Sequence, residues 1–123
     1  MATRSTIGMI QEDGQTVRSV YCHFDGYPHG VGMTLATQYT DPTKIENLLN
    51  LGDLSVLDDE IGEKQEFDSR REGQCLFYGR DRGEDGVDAL VHGNTDEWIG
   101  YRKGNCCEYG YLWDGVEWHT YEI

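Results

Sequence analysis

The chain has only two prolines and ten basic residues, and it contains no long apolar run. The last absence excludes a membrane-spanning helix, which needs about eighteen or more consecutive apolar residues. The opening stretch to Met9 carries Arg4 but no apolar block, so no secretory signal is expected. The scarcity of cations argues against a direct grip on nucleic acid, because phosphate contacts need clustered Lys and Arg. Several ligand-binding patterns are also missing. No Gly-Lys-Ser/Thr follows a glycine loop, and the dinucleotide-binding glycine spacing fails. No paired C-x₂-C units suggest structural zinc, and the acids lack the spacing of a calcium loop. Four cysteines occur, at Cys22, Cys75, Cys106 and Cys107. Two of them are adjacent, which does not resemble a secreted disulfide framework. All four are expected as reduced thiols in a cytosol.

What is present is acid and aromatic. The chain of 123 residues fits one domain, 1–123, large enough to bury a core without disulfides or metals. Apolar residues are only 37% and the mean hydropathy is -0.65, but fourteen aromatics supply large buried areas. They also argue against disorder. There are 23 acids against 10 bases, a net charge of -13. Nine of the acids lie between Asp41 and Asp68, where Lys44 and Lys64 are the only bases. Such a surface either keeps a protein dispersed or meets a basic groove on another protein.

Turn chemistry sets the expected elements. Thr6–Glu12 and Gln15–Phe24 flank Asp13-Gly14 and read as a β-hairpin. Val31, Leu35 and Tyr39 suggest a helix over 31–40. Asp41 as N-cap and Pro42 at the first position start a second helix, with Ile45, Leu48 and Leu49 as its apolar stripe and Gly52 as its stop. Residues 53–72 read as an acidic loop or single turn, 74–79 as a strand, 80–86 as a charged turn and 87–92 as a strand. A short helix capped by Thr95 or Asp96 follows. Glu108–Trp113 and Val116–Ile123 form a second hairpin about Asp114-Gly115. The expected fold is α+β: an antiparallel sheet of about five or six strands, with two or three short helices packed on one face.

Several separated motifs resemble an uncharacterised family of small phage-encoded proteins. They are TRSTI from Thr3, VYCHFDGYPHGVG from Val20, YTDP from Tyr39, LGDLS from Leu51 and YGRDRGE from Tyr78. The resemblance spans most of the chain except its C-terminal third. It implies a phage or prophage gene acting in a bacterial host cytoplasm, and it carries no activity or catalytic residue. Small acidic phage proteins often blunt host defences, which is an analogy of size and charge.

Five groups of residues merit weighing. Cys22, His23, Asp25 and His29 could suggest zinc or a Cys–His nucleophile. Neighbouring strand residues point to opposite faces, however, so a buried cysteine and a turn histidine are the simpler reading. The loop Asp25–Gly32 could hold an anion on backbone N–H groups, or its glycines could simply serve a strand-to-helix turn. Arg80 and Arg82 point the same way if their turn is extended, and with Tyr27 and His29 they could bind a phosphate-bearing ligand. Surface ion pairing is the plainer alternative. Asp53, Asp58, Asp59, Glu60, Glu63 and Glu66 could form a partner-binding face, or a solvated loop. Tyr109, Tyr111 and Trp113 alternate onto one sheet face, read as core, though such a face could also serve a homodimer contact.

The leading expectation is a non-enzymatic inhibitor of a host defence protein, one that handles nucleic acid, bound through the acidic surface. The alternative is a small-molecule binder that sequesters a nucleotide signal. No cofactor, metal or direct nucleic-acid contact is expected in either case.

Overall fold

The computed structural model describes residues 2–123. Seven strands form one mixed sheet: β1 Ser5–Ile10, β2 Val17–Cys22, β3 Leu54–Val56, β4 Leu76–Phe77, β5 Leu90–His92, β6 Tyr109–Trp113 and β7 Trp118–Glu122. Four α-helices accompany them: α1 Met33–Gln38, α2 Pro42–Asn50, α3 Tyr78–Arg82 and α4 Thr95–Gly104. A π-helical turn, Pro28–Gly32, leads into α1. The fold is α+β. No helix among the described residues is long and apolar enough to cross a membrane.

The sheet runs β4-β3-β2-β1-β6-β7, and β5 also pairs with β2. The expected hairpins β1–β2 and β6–β7 are antiparallel. Two neighbours are parallel instead, β1 with β6 and β2 with β3. The reason is connectivity: the chain between β2 and β3 contains α1 and α2, and such a crossover permits parallel pairing where a tight turn does not. The first hairpin is closed by a longer loop than a two-residue turn. Asp13 Oδ1 accepts from the N–H groups of Gln15 and Thr16 at 2.9 and 2.8 Å, and Gly14 has φ +73°.

The helices cover both faces, which corrects the expectation of one. Ile7, Val20 and Tyr111 are register partners and point to one face. There they pack with Leu35, Ile45, Leu48 and Leu49 of α1 and α2. Asp41 caps α2 as expected, accepting from Thr43 N–H at 2.9 Å. On the other face Val17 and Leu112 meet Trp98 of α4. The Trp98 indole lies in a trough left by Gly8 and Gly110, where added Cβ atoms would stand 3.2 and 3.1 Å from the ring. Its Nε1 donates to Thr6 Oγ1 at 3.0 Å. Tyr111 and Trp113 belong to the core under α1 and α2, so the aromatic face is interior.

Candidate functional site

The acidic segment leaves β3 at Val56 and returns at β4. It is held in place by cations that bond its backbone. Arg80 Nη1 donates to Ile61 O and Gly62 O, both at 3.0 Å, and Nη2 donates to Cys75 O at 3.1 Å. Nε and Nη2 also reach Asp81 Oδ1 and Oδ2 at 3.0 and 3.2 Å. A guanidinium has five N–H donors, so Arg80 has none left for a ligand. Lys44 Nζ donates to Asp59 O at 2.7 Å, and Tyr39 Oη donates to Asp58 O at 2.7 Å. Arg70 Nη1 pairs with Asp58 Oδ2 at 3.0 Å and donates to Gln74 O at 3.0 Å.

The consequence for the predicted acidic face is specific. Asp59, Glu60, Glu63 and Glu66 are exposed. None of them joins an ion pair among the described residues; Lys44 and Arg80 are turned to carbonyls and Arg70 to Asp58. Asp58 is half-buried and already paired, so it supports the loop more than it advertises charge. Asp53 leaves the face altogether. Its Oδ1 accepts from Tyr21 N–H at 2.9 Å on the edge of β2, and burial raises its carboxyl above the usual range.

The arginine pair also divides. Residues 78–82 are helical, and helical positions two apart lie about 200° apart around the axis. Arg80 therefore turns inward, whereas Arg82 turns out, pairs with Glu84 and stacks over Phe67 and Tyr78 at 4.6 and 4.8 Å. Tyr27 is exposed, its Oη donating to Asp25 at 3.2 Å. His29 is exposed beside a shallow apolar cavity formed with Pro28, Met33, Ala36 and Thr120. No arginine lines that cavity, so the pocket expected from Arg80, Arg82, Tyr27 and His29 is not assembled.

The Cys22–His23 pair is likewise separated. Cys22 is in the core, burial pushes its thiol up to about 12, and His23 Nδ1 bonds Tyr21 Oη at 2.7 Å instead. The loop glycines answer to packing. A Cβ on Gly26 would lie 2.7 Å from Thr3 O, and one on Gly30 2.2 Å from Asp25 O. One cluster of metal-ligating types exists among the described residues: Asp114, Glu117 and His119 place ligand atoms within 4.8 Å of one another at the exposed β6–β7 tip. Asp114 Oδ1 there accepts from Val116 and Glu117 N–H groups, both at 2.8 Å, and its Oδ2 pairs with His119 Nε2 at 2.5 Å. Those contacts account for the cluster as a turn.

Sequence reasoning missed one group. Trp98 and Arg102 are four apart on α4 and so share its inward face. Arg102 is 3% exposed and bonds Ser19 through three donors: Nε and Nη2 to Oγ at 3.2 and 2.9 Å, and Nη2 to the carbonyl at 3.2 Å. Ser19 Oγ in turn meets His92 Nε2 at 2.8 Å. Burial and the adjacent Arg102 charge lower the His92 pKa, so the ring is neutral and Nε2 accepts the serine proton. The i, i+4 spacing of Trp98 and Arg102 was the available signal.

Comparison with known proteins finds no matching family, no matching curated protein and no matching solved structure.

Proposed function

We propose that the chain is a non-enzymatic binding protein that meets a basic surface of a partner protein through its acidic loop, chiefly through Asp59, Glu60, Glu63 and Glu66. The carrying observation is that Lys44 and Arg80 bond the loop's carbonyls, and these four exposed carboxylates have no ion-pair partner among the described residues. A loop held this way loses little freedom on binding, which favours affinity. Opposite charge on the partner speeds encounter. The proposed partner is a host protein that handles nucleic acid, since such proteins present basic grooves. The proposed setting is a phage protein acting against a bacterial defence system in the host cytoplasm, in line with the motif resemblance.

The test is a tagged capture from bacterial lysate with nuclease present, run beside the triple variant Asp59→Lys, Glu60→Lys, Glu63→Lys. Asp58 is left intact because it pairs with Arg70. The expected result is a stoichiometric nucleic-acid-handling protein that the wild type holds, that salt releases and that the variant does not capture. Equal capture by a folded variant refutes the charge-based reading.

A further inference from the structure

A crevice opens at the edge of β2 opposite β1. β5 pairs with Val17, Arg18 and Ser19, and β3 takes over only at Cys22. In between, no strand among the described residues completes that edge, and the Asp53 carboxylate meets the N–H of Tyr21 instead. Small-molecule sites commonly form where neighbouring strands part. The C-terminal half of α4 and the 86–90 segment wall this one into a cavity of about 430 Å³. Its lining includes Tyr21, Asp53, Asp88, Leu90, Tyr101 and Arg102.

Two opposite charges line this space without touching. Arg102 is buried, and three of its donors are used on Ser19. Its Nη1 has no hydrogen-bond acceptor among the described residues and is not sealed from solvent, so it is free to meet a ligand. Asp53 is the acid of the same cavity. The Asp53 and Arg102 charges act on each other, yet the two residues form no ion pair among those described. Asp53 Oδ1 is occupied by Tyr21, and Oδ2 has no donor among the described residues.

The charge pattern selects the ligand class. A phosphate or nucleotide would bring extra negative charge against Asp53 and Asp88 in a chain of net charge -13. An amine alone would bring a second positive charge against Arg102. A free amino acid carries both charges on one carbon. Its side chain would face Leu90 and Tyr101, which are exposed apolar groups at 39% and 49%. We propose that this crevice binds a free α-amino acid, with its carboxylate on Arg102 Nη1 and its ammonium on Asp53. Asp88 at the rim adds attraction for the ammonium. This site is separate from the acidic loop, and either reading stands without the other.

The test is calorimetric titration of the full chain with the standard amino acids, alongside N-acetyl-L-leucine, L-leucinamide and adenosine monophosphate. Apolar amino acids such as L-leucine and L-phenylalanine are expected to bind. Capping either charge should weaken binding by about tenfold or more, equal to at least ~1.4 kcal/mol. Arg102 also ties α4 to β2, so the diagnostic variant is Asp53→Asn, which keeps an acceptor for Tyr21 N–H. It should stay folded by circular dichroism and lose about tenfold or more in affinity. Bound amino acid should also slow alkylation of Cys106, the exposed thiol on the crevice wall. The loop variant with Asp59, Glu60 and Glu63 reversed should bind the amino acid normally. Absence of binding by every amino acid at millimolar concentration overturns the proposal. So does equal binding of N-acetyl-L-leucine or adenosine monophosphate, or undiminished binding by Asp53→Asn.

Discussion

Replacing Arg80 with alanine should destabilise the whole domain, whereas the same change at Arg82 should barely register. The two differ in what they leave behind. Arg80→Ala removes five hydrogen bonds and strands the Asp81 carboxylate, whose side chain is fully buried. Burial pushes the Asp81 carboxyl up, but Arg80 and the N–H groups of Phe77 and Gln65 outweigh it and hold it below its ordinary value. Without Arg80 that balance fails. Removing one partner of a buried pair costs about 3–5 kcal/mol. The carbonyls of Ile61 and Gly62 lie in the surface loop and can regain water, so the five bonds do not add separately. About 3–5 kcal/mol is a large share of the roughly 5–15 kcal/mol that holds a domain of this size. Between the values for smaller and larger domains, this corresponds to a fall in Tm of roughly 10–20 °C.

Arg82 has a side chain 49% exposed, against 11% for Arg80, and its partner Glu84 is also exposed. An exposed pair of that kind is worth about 0–1 kcal/mol. Arg80→Lys should fall between, because an ammonium keeps the charge but cannot span the carbonyls of 61, 62 and 75 together. Urea unfolding followed by tryptophan fluorescence separates these values, and hydrogen exchange across 58–75 locates the effect. An Arg80→Ala protein within about 0.5 kcal/mol of wild type, or indistinguishable from Arg82→Ala, would refute the assignment of Arg80 as the loop's anchor.

Three further outcomes follow from burial and charge. Ellman's reagent should titrate one thiol in the native chain and four in denaturant, because Cys22, Cys75 and Cys107 are buried and Cys106 is exposed; fast reaction of a second native thiol would contradict this. Carboxyl NMR should place Asp114 at about 2, since the N–H of Glu117, His119 and the N–H of Val116 favour its ionised form; a pKa this low in the folded state stabilises the hairpin above the ordinary carboxylate pKa of about 3.9, and that contribution disappears as pH falls toward 2. Asp53→Asn should raise stability at neutral pH, because burial disfavours the ionised carboxylate in the folded state; the gain is full above the raised folded-state pKa, shrinks as pH falls through it, and is gone below about 3.9, where folded and unfolded chains are both protonated; equal stabilisation at pH 3 and pH 7 would show that the charge is not its source.

Local turn chemistry was readable in the sequence because one or two residues carry it. Asp41 before Pro42 caps α2, and Asp114 closes the second hairpin with its own side chain. The alternation of Tyr109, Tyr111 and Trp113 named a shared face correctly. What stayed hidden depends on contacts distant in sequence. α3 contains Gly79 and spans five residues, too few to hold a helix on propensity; Asp81 stabilises its start by accepting from Phe77 N–H at 2.8 Å and binding the loop at Gln65 N–H at 3.0 Å. Without that helix, Arg80 and Arg82 look like a matched pair. Placement of α4 on the second face rests on Gly8 and Gly110 in strands more than a hundred residues apart. Glycine inside a strand is the one local hint that something large approaches there.

The chain's use of its few cations is therefore the feature that decides how its charge can act. In an ordinary acidic surface, Lys and Arg would scatter among the carboxylates and neutralise them in pairs. Here Lys44 and Arg80 bond loop carbonyls, and Arg102 is buried against Ser19 with one nitrogen open to a cavity. Asp59, Glu60, Glu63 and Glu66 meanwhile stand exposed on an anchored backbone without an ion pair among the described residues. Asp53 and Arg102 line one cavity and feel each other's charge without forming an ion pair among the described residues, a costly arrangement for a merely structural role. Replacing that pair by apolar groups would be the simpler way to close the β2 edge. Their presence is what a ligand carrying both charges would explain, and the Asp53→Asn variant separates the two cases: with a purely structural carboxylate only the stability would change, rising at neutral pH, whereas with a ligand-binding one the amino acid would be lost as well.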